Sequence, residues 1–307
     1  MIHLHRMEPK ASRQAKDHVF ADMFNQPKYC LELFNALHPE ATDITEADIQ
    51  NITISHVIVD KPYNDLGFTV KGRQLILVEA QSTWSYNILV RLLLYFSDTL
   101  QGFIHSHEDM DIHDTTTLPL PIPEFYVIYT GERKNVPEMI SFRKHFFKDM
   151  TVPFDLEARV ISTESTDDII GQYIIYAHVF DQQVKKYGRT RKAAQETVRI
   201  CKDRGVLTEY LGAHEKEVVS SMIMLFEQEE ATKRYGCRKA REGKIAAYAE
   251  MVAEGDLTVE KAAKKLNMTV DEFNEAVEAL KVTASSAPHP DDLVNTPSIR
   301  ITSRYAP

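Results

Sequence analysis

Residues 65–81 read D-L-G-F-T-V-K-G-R-Q-L-I-L-V-E-A-Q, and this stretch decides the fold. Two runs, 66–70 and 74–80, are rich in apolar and β-prone residues, and the polar Lys71-Gly72-Arg73 between them supplies a turn. That pattern predicts a β-hairpin. Asp65 and Glu79 stand symmetrically about Gly72, so in a symmetric hairpin they lie directly opposite one another. Opposite residues of paired strands project from one face, and Gln81, two residues beyond Glu79, shares it. The hairpin therefore predicts a cluster of Asp, Glu and Gln whose two carboxylates come close enough to share a hard cation such as Mg²⁺.

Glu79 ends the apolar run Leu75-Ile76-Leu77-Val78, which should be largely buried. A carboxylate there is costly unless a cation or hydrogen bonds satisfy it. Two readings stand side by side at this point: a metal or catalytic site, and a structural pair satisfied within the fold.

Outward from the hairpin, helices come first. Residues 1–14 are polar and read as a flexible lead. From Ala15 onward Val19, Phe20, Met23 and Phe24 share a helical face, Pro27 interrupts, and Leu31, Leu33, Phe34 and Leu37 predict a second helix ending near His38-Pro39. Residues 49–59 are β-branched and mostly alternating, as a first strand should be. After Gln81, Ser82 or Ser85 is expected to cap a helix whose apolar face is Leu89, Leu92, Leu93, Phe96, Leu100 and Phe103. A polar, proline-containing connection (108–123) leads to a strand over 124–130, a short helix over 137–147, a strand over 156–161 and a helix over 167–186. Strands alternating with helices predict an α/β fold, a mixed sheet covered by helices, with an antiparallel meander first and a later strand added by a crossover.

Residues 187–254 are helical and charged, and carry the basic run Lys233, Arg234, Arg238, Lys239, Arg241 and Lys244 after Glu227, Glu229 and Glu230. Such a run is either a solvated helix face or a nucleic-acid contact. Residues 255–282 predict two short helices joined around Asn267-Met268, with Thr269 and Glu272 forming a capping box. A packed helical hairpin or oligomer contact and a small helix-turn-helix both fit that unit. The tail, 283–307, has the composition of a disordered segment.

At 307 residues the chain suits one large α/β domain with a smaller one or two. Its 43% apolar and 26% charged residues are ordinary for a globular protein, and the net charge of −9 argues against a uniformly basic nucleic-acid coat while leaving room for a local groove. Cys30, Cys201 and Cys237 are far apart, with no C-x-x-C, which suits a reducing compartment. No stretch approaches the roughly 18 apolar residues of a membrane span, and no signal-peptide core precedes the first helix, so the cytoplasm is the expected location. His105, His107 and His113 lie in a polar, solvent-facing context. Neither a G-x-S-x-G turn nor a phosphate-binding G-x-x-x-x-G-K-[ST] loop occurs.

Asp65, a strand, a turn and then Glu79-Ala80-Gln81 resemble the D…E-x-K signature of the PD-(D/E)XK nuclease superfamily, with glutamine in the lysine position. More narrowly, Lys16-Asp17 with Phe20, Asp65-Leu66, Glu79-x-Gln81 and Arg91-x-x-x-Tyr95 resemble the recombination-promoting nuclease, or transposase-like, family, in which E-x-Q is usual. The resemblance covers roughly residues 15–180. It implies a restriction-endonuclease-like core over 15–186, a helical C-terminal region, and Mg²⁺-dependent cleavage of DNA, with Mn²⁺ or Ca²⁺ as substitutes. Asp65, Glu79 and the Ala80 carbonyl would hold the ion and Asp17 would be an outer ligand. Gln81 would orient water but brings no positive charge. Arg91, on the helix that starts after Gln81, is the expected replacement cation, and Tyr95, one turn on, shares its face. Lys233, Arg234, Arg238 and Lys239 are the further residues expected to touch DNA, and a homodimer is expected if both strands are cut. Trp84 is expected in a core or rim role.

Overall fold

The computed structural model describes residues 12–52, 65–107, 110–148 and 150–285. Of the lead expected over 1–14, residues 1–11 lie outside the described residues, as do the strand expected beyond Ile52 and the tail past Ser285; Ser12, Arg13 and Gln14 belong to the first helix instead. The chain divides into two compact units, 1–229 and 230–307.

The first unit is an α/β fold on a mixed six-stranded sheet in the order β1-β2-β3-β4-β6-β5. Two helices, α1 (Ser12–Phe24) and α2 (Pro27–Leu37), precede it; Pro27, without an N–H, opens α2, and His38 closes it as expected. The meander β1 (Ile49–Ile52), β2 (Asp65–Val70) and β3 (Gln74–Gln81) is antiparallel throughout. Lys71 and Gly72 both adopt the left-handed conformation, φ 50° and 63°, and the Arg73 N–H closes the turn onto the Val70 carbonyl at 3.0 Å. Gly72 takes this conformation without steric cost. Helix α3 (Ile88–His105) then crosses over, so that β4 (Ile122–Tyr129) runs parallel to β3.

Two expectations need correction here. The region 137–147 is not one helix: Met139–Ser141 is an edge strand, β5, antiparallel to β6 (Glu157–Ile161), and only Phe142–His145 forms a helical turn, α4. Pairing with a strand that comes later in the chain overrides the local helical pattern. Neither Ser82 nor Ser85 is the N-cap of α3. Asn87 holds that position, and Ser85 Oγ instead accepts the Asn87 N–H at 3.2 Å.

Side chains alternate across β3, and the two faces are both buried. Ile76, Val78 and Ala80 belong to the core that is completed by α1, α2, α5 (Ile169–Tyr187), α6 (Arg191–Asp203), α7 (Thr208–Ala213) and the start of α8 (Glu215–Ala253). Leu75 and Leu77 meet α3, α4, Val127, Tyr129, Ala158 and Val160. Glu79 and Gln81 have the parity of Leu75 and Leu77, so a charged and an amide residue complete a face that is otherwise apolar.

The second unit has its own small core. Ile245 of α8 packs with Ala262 and Ala263 of α9 (Val259–Leu266) and Phe273 of α10 (Val270–Ser285). Asn267, left-handed at φ 58°, ends α9, and the expected capping box opens α10: Thr269 N–H donates to Glu272 Oε2 at 2.8 Å, and Glu272 N–H to Thr269 Oγ1 at 3.2 Å. The exposed face of α10 carries Asp271, Glu272, Glu275 and Glu278, which disfavours its use as a helix lying against phosphates. No helix among the described residues is long and apolar enough to cross a membrane.

Candidate functional site

The hairpin register places Asp65 directly opposite Glu79. Which type of pair they form follows from the neighbouring ladder. The Gln81 carbonyl accepts from Thr130 N–H at 3.0 Å, and the Arg73 carbonyl from Ile122 N–H at 2.8 Å, so the odd-numbered backbone groups of β3 face β4. Asp65 and Glu79 are therefore a non-hydrogen-bonded pair, the kind in which opposed residues come closest. By the same alternation the Ala80 carbonyl faces the β2 side, just past the point where β2 begins. The side chain of Asp65 lies outside the described atoms.

Glu79 is fully buried, 0% exposed, and its carboxylate pairs with the guanidinium of Arg91. Arg91 Nη2 also donates to Gln81 Oε1 at 2.9 Å, so one guanidinium spans both side chains. Arg91 is the fourth residue of α3, and a cation in the first turn of a helix opposes the helix dipole. Its placement there is repaid by Glu79, not by α3. The Arg91 side chain remains 38% exposed, so one edge of this buried charge pair reaches solvent.

That edge opens into a cavity of about 210 Å³ lined by Asp17, Gln81, Ser82, Thr83, Ser85, Asn87, Ile88 and Arg91. Gln81 is itself buried, and its Nε2 has no hydrogen-bond partner among the described residues, leaving an amide donor for whatever enters. Asp17 reaches the same wall from the other layer. It lies in the second turn of α1, which begins at Ser12. Lys16 anchors that turn: its buried Nζ meets Asp181 Oδ2 at 2.6 Å, and its carbonyl accepts from Tyr173 Oη at 3.4 Å. Burial first, and then the charges of Asp17 and Asp181, push the Tyr173 phenol well above its ordinary value.

Four polar residues of the cavity, Ser82, Thr83, Ser85 and Asn87, were not legible as site residues, since a run of Ser, Thr and Asn between strand and helix reads as turn chemistry. The loop is held down by a second segment. A Cβ on Gly131 would stand 2.1 Å from the Ser82 carbonyl oxygen and 2.3 Å from Tyr129 Oη, so only glycine lets the chain after β4 press against the cavity wall.

The remaining expected residues fall elsewhere. Tyr95 is half-buried against the α3-side core and is not among the residues that line the cavity. Lys233, Arg234, Arg238 and Lys239 are exposed on α8 in the second unit. Arg234 pairs with Glu230, while Arg238 at 3.7 Å and Lys239 at 2.9 Å share Glu242. His105, His107 and His113 are exposed, as expected. Cys30 and Cys201 are buried, and burial pushes each thiol up to about 12, which makes them inert.

Among the described residues, no three His, Cys, Asp or Glu side chains converge as a ligand set. The donors described at the cavity are nevertheless of the right chemistry for a hard cation. Asp17 and Gln81 bring oxygen atoms to the cavity wall, and Glu79, behind the wall, has its buried carboxylate against the Arg91 guanidinium, which also holds the Gln81 oxygen.

An α/β domain with a buried acid–amide–arginine cluster between the end of a central strand and the helix that follows it is the class that fold and site define. No family model, no curated protein and no solved structure matches the chain.

Proposed function

We propose that this protein is a metal-dependent DNA endonuclease of the recombination-promoting type, built on a restriction-endonuclease-like, PD-(D/E)XK core. The observation that carries the reading is the register: Asp65 opposite Glu79, Gln81 on the same face, and Arg91 bridging Glu79 and Gln81 at a polar cavity. The order of elements, helices, then an antiparallel meander, then a crossover helix to a parallel strand, supports it as well.

Asp65, Glu79 and the Ala80 carbonyl would hold Mg²⁺, or Mn²⁺ or Ca²⁺ in its place, with Asp17 at its margin. When bound, the ion supplies Lewis-acid polarisation of a phosphate oxygen and a more acidic attacking water. The chain's own groups do the rest. Ser82, Thr83, Ser85 and Asn87 offer neutral donors that orient a phosphate without a further charge. Gln81 Nε2 hydrogen-bonds the attacking water, and Arg91 supplies the positive charge at the phosphate that a strand lysine would otherwise bring. Arg91 can turn to the phosphate only by loosening its hold on Glu79, whose carboxylate would then help hold the ion.

The Glu79–Arg91 pair also favours a second reading, a catalytically inactive nuclease-like module that binds nucleic acid or protein, because it satisfies the buried carboxylate without any metal. Supercoiled plasmid incubated with the full chain and Mg²⁺ separates the two. The nuclease reading expects nicking that falls at least a hundredfold in Asp65→Asn and Glu79→Gln. Absence of nicking by the unaltered protein, or undiminished nicking by both variants, leaves the inactive module. Preferential cleavage of single-stranded RNA in the same assay would move the substrate and keep the site.

A further inference from the structure

Beside the cavity runs a strip of aromatic and basic side chains that the chemistry above does not use. Along the loop 82–87, Trp84 and Tyr86 alternate with the cavity-lining Thr83, Ser85 and Asn87. The two rings are only partly buried and meet edge to face at 5.6 Å. Two other segments close on them. The Arg133 guanidinium lies 5.0 Å over the Trp84 ring, in the stretch that Gly131 allows to press on Ser82. His145, the last residue of α4, stacks on Tyr86 with centroids 3.9 Å apart and planes inclined by 22°. Exposed Lys134 follows Arg133, and exposed Lys144 and Lys148 flank His145. Arg143 belongs to the same turn but is engaged by Asp155 at 3.3 Å.

We infer that this strip is a binding path for single-stranded DNA that leads into the cavity. Stacking on aromatic faces tolerates any base, and lysines and arginine beside the rings match the spacing of charge along a flexible strand. A duplex keeps its bases stacked inside and cannot use the rings. The phosphates therefore lie along Arg133, Lys134 and Lys144 while bases cover Trp84 and the Tyr86–His145 stack. The chain's negative total charge does not oppose this, because screening confines attraction to nearby groups. That the ligand is DNA rests on the nuclease reading; the strip's stacking and charge do not.

Trp84 is the only tryptophan, so its fluorescence reports the strip directly. Titration of the full chain with oligo-dT, without divalent cation, should quench it saturably. The apparent affinity should fall with salt at a log–log slope of about −0.7 per phosphate engaged. Arg133→Gln and Lys144→Gln, both at exposed positions, should each weaken binding several-fold and reduce that slope by about 0.7. Tyr86→Leu should weaken it roughly tenfold, Tyr86→Phe very little. No quenching of the unaltered protein, equal quenching by a duplex of the same length, or unchanged affinity in both charge variants would each overturn the inference. Quenching without plasmid cleavage removes the nuclease reading and keeps the strip, and cleavage without quenching does the reverse.

Discussion

Arg91→Met tests the electrostatic centre of the molecule. The substitution keeps much of the side chain's apolar volume and removes the guanidinium that pairs with Glu79 and donates to Gln81. The Glu79 carboxylate, at 0% exposure, then loses that guanidinium. Breaking a fully buried pair from one side costs about 3–5 kcal/mol. Because Arg91 is 38% exposed, water can partly replace it, and the lower end, about 3 kcal/mol, is expected. For a unit of this size that corresponds to a fall in melting temperature of roughly 6–12 °C. Trp84 lies in the first unit and is the sole tryptophan, so its emission follows the melting of that unit alone. Glu79→Gln in the Arg91→Met background should recover most of the loss, since it removes the buried charge that Arg91 balances. Mg²⁺ at a hundredfold excess over its dissociation constant should stabilise Arg91→Met by about 2.7 kcal/mol, and the same concentration should stabilise the unaltered protein less. A loss under about 0.5 kcal/mol with no coupling to Glu79→Gln would refute the view that Arg91 is the counter-charge of the buried acid.

Three further outcomes follow from other parts of the fold. Gly131→Ala forces a methyl group to within 2.1 Å of the Ser82 carbonyl, and should destabilise the first unit by about 1–3 kcal/mol while shifting Trp84 emission; an unchanged melt would mean the two segments are not in contact. With Cys30 and Cys201 buried and their thiols held near 12, a disulfide reagent at pH 8 should label Cys237 alone in the native protein and all three cysteines after unfolding; fast labelling of two or three native thiols would contradict the packing. Hydrogen bonds from the Thr269 N–H and hydroxyl hold the Glu272 carboxyl below its usual value of 4.5. A lowered folded value means this support for α10 is present above the unfolded value and is lost as pH falls through the folded one. Titration of the Glu272 side-chain carbon by NMR should give a midpoint under 4.5, and a midpoint at or above it would remove the cap.

Much of the candidate site was legible because it is local. The symmetry of Asp65 and Glu79 about Gly72 is a property of 17 consecutive residues, and a charge ending an apolar run is visible without any partner. Arg91 was legible for the same reason, lying ten positions past Gln81 on a helix with a clear apolar period. What escaped depends on distant chain. Strand β5 is three residues long and exists by pairing with β6. Lys16 sits on an amphipathic helix like any solvated lysine, and only Asp181, 165 positions away, explains its burial. The loop 82–87 misled for a physical reason. Its serines and threonine are good capping residues, but they line the cavity wall instead, and α3 starts later at Ile88 with Asn87 in the N-cap position and no side-chain cap bond.

The exchange of charge between strand and helix at this site can itself be tested. If Arg91 does the work of a lysine at position 81, the two cannot both be present without cost. Gln81→Lys would set an ammonium in a buried position whose amide oxygen now accepts from Arg91 at 2.9 Å. Two like charges about 4 Å apart at an effective dielectric of 20 repel by about 4 kcal/mol, and the carboxylate of Glu79 offsets only part of this. A loss of about 2–3 kcal/mol is therefore expected for Gln81→Lys alone. Adding Arg91→Gln moves the cation from the helix to the strand and leaves one positive charge beside Glu79, so most of that stability should return. Nicking activity should follow the same order, lowest in Gln81→Lys and restored in the exchanged pair, because the site would again hold one positive charge. If Gln81→Lys is as stable as the unaltered protein and Arg91→Gln brings no recovery, the two positions are not alternatives for one cation. Arg91 would then be a structural counter-ion only.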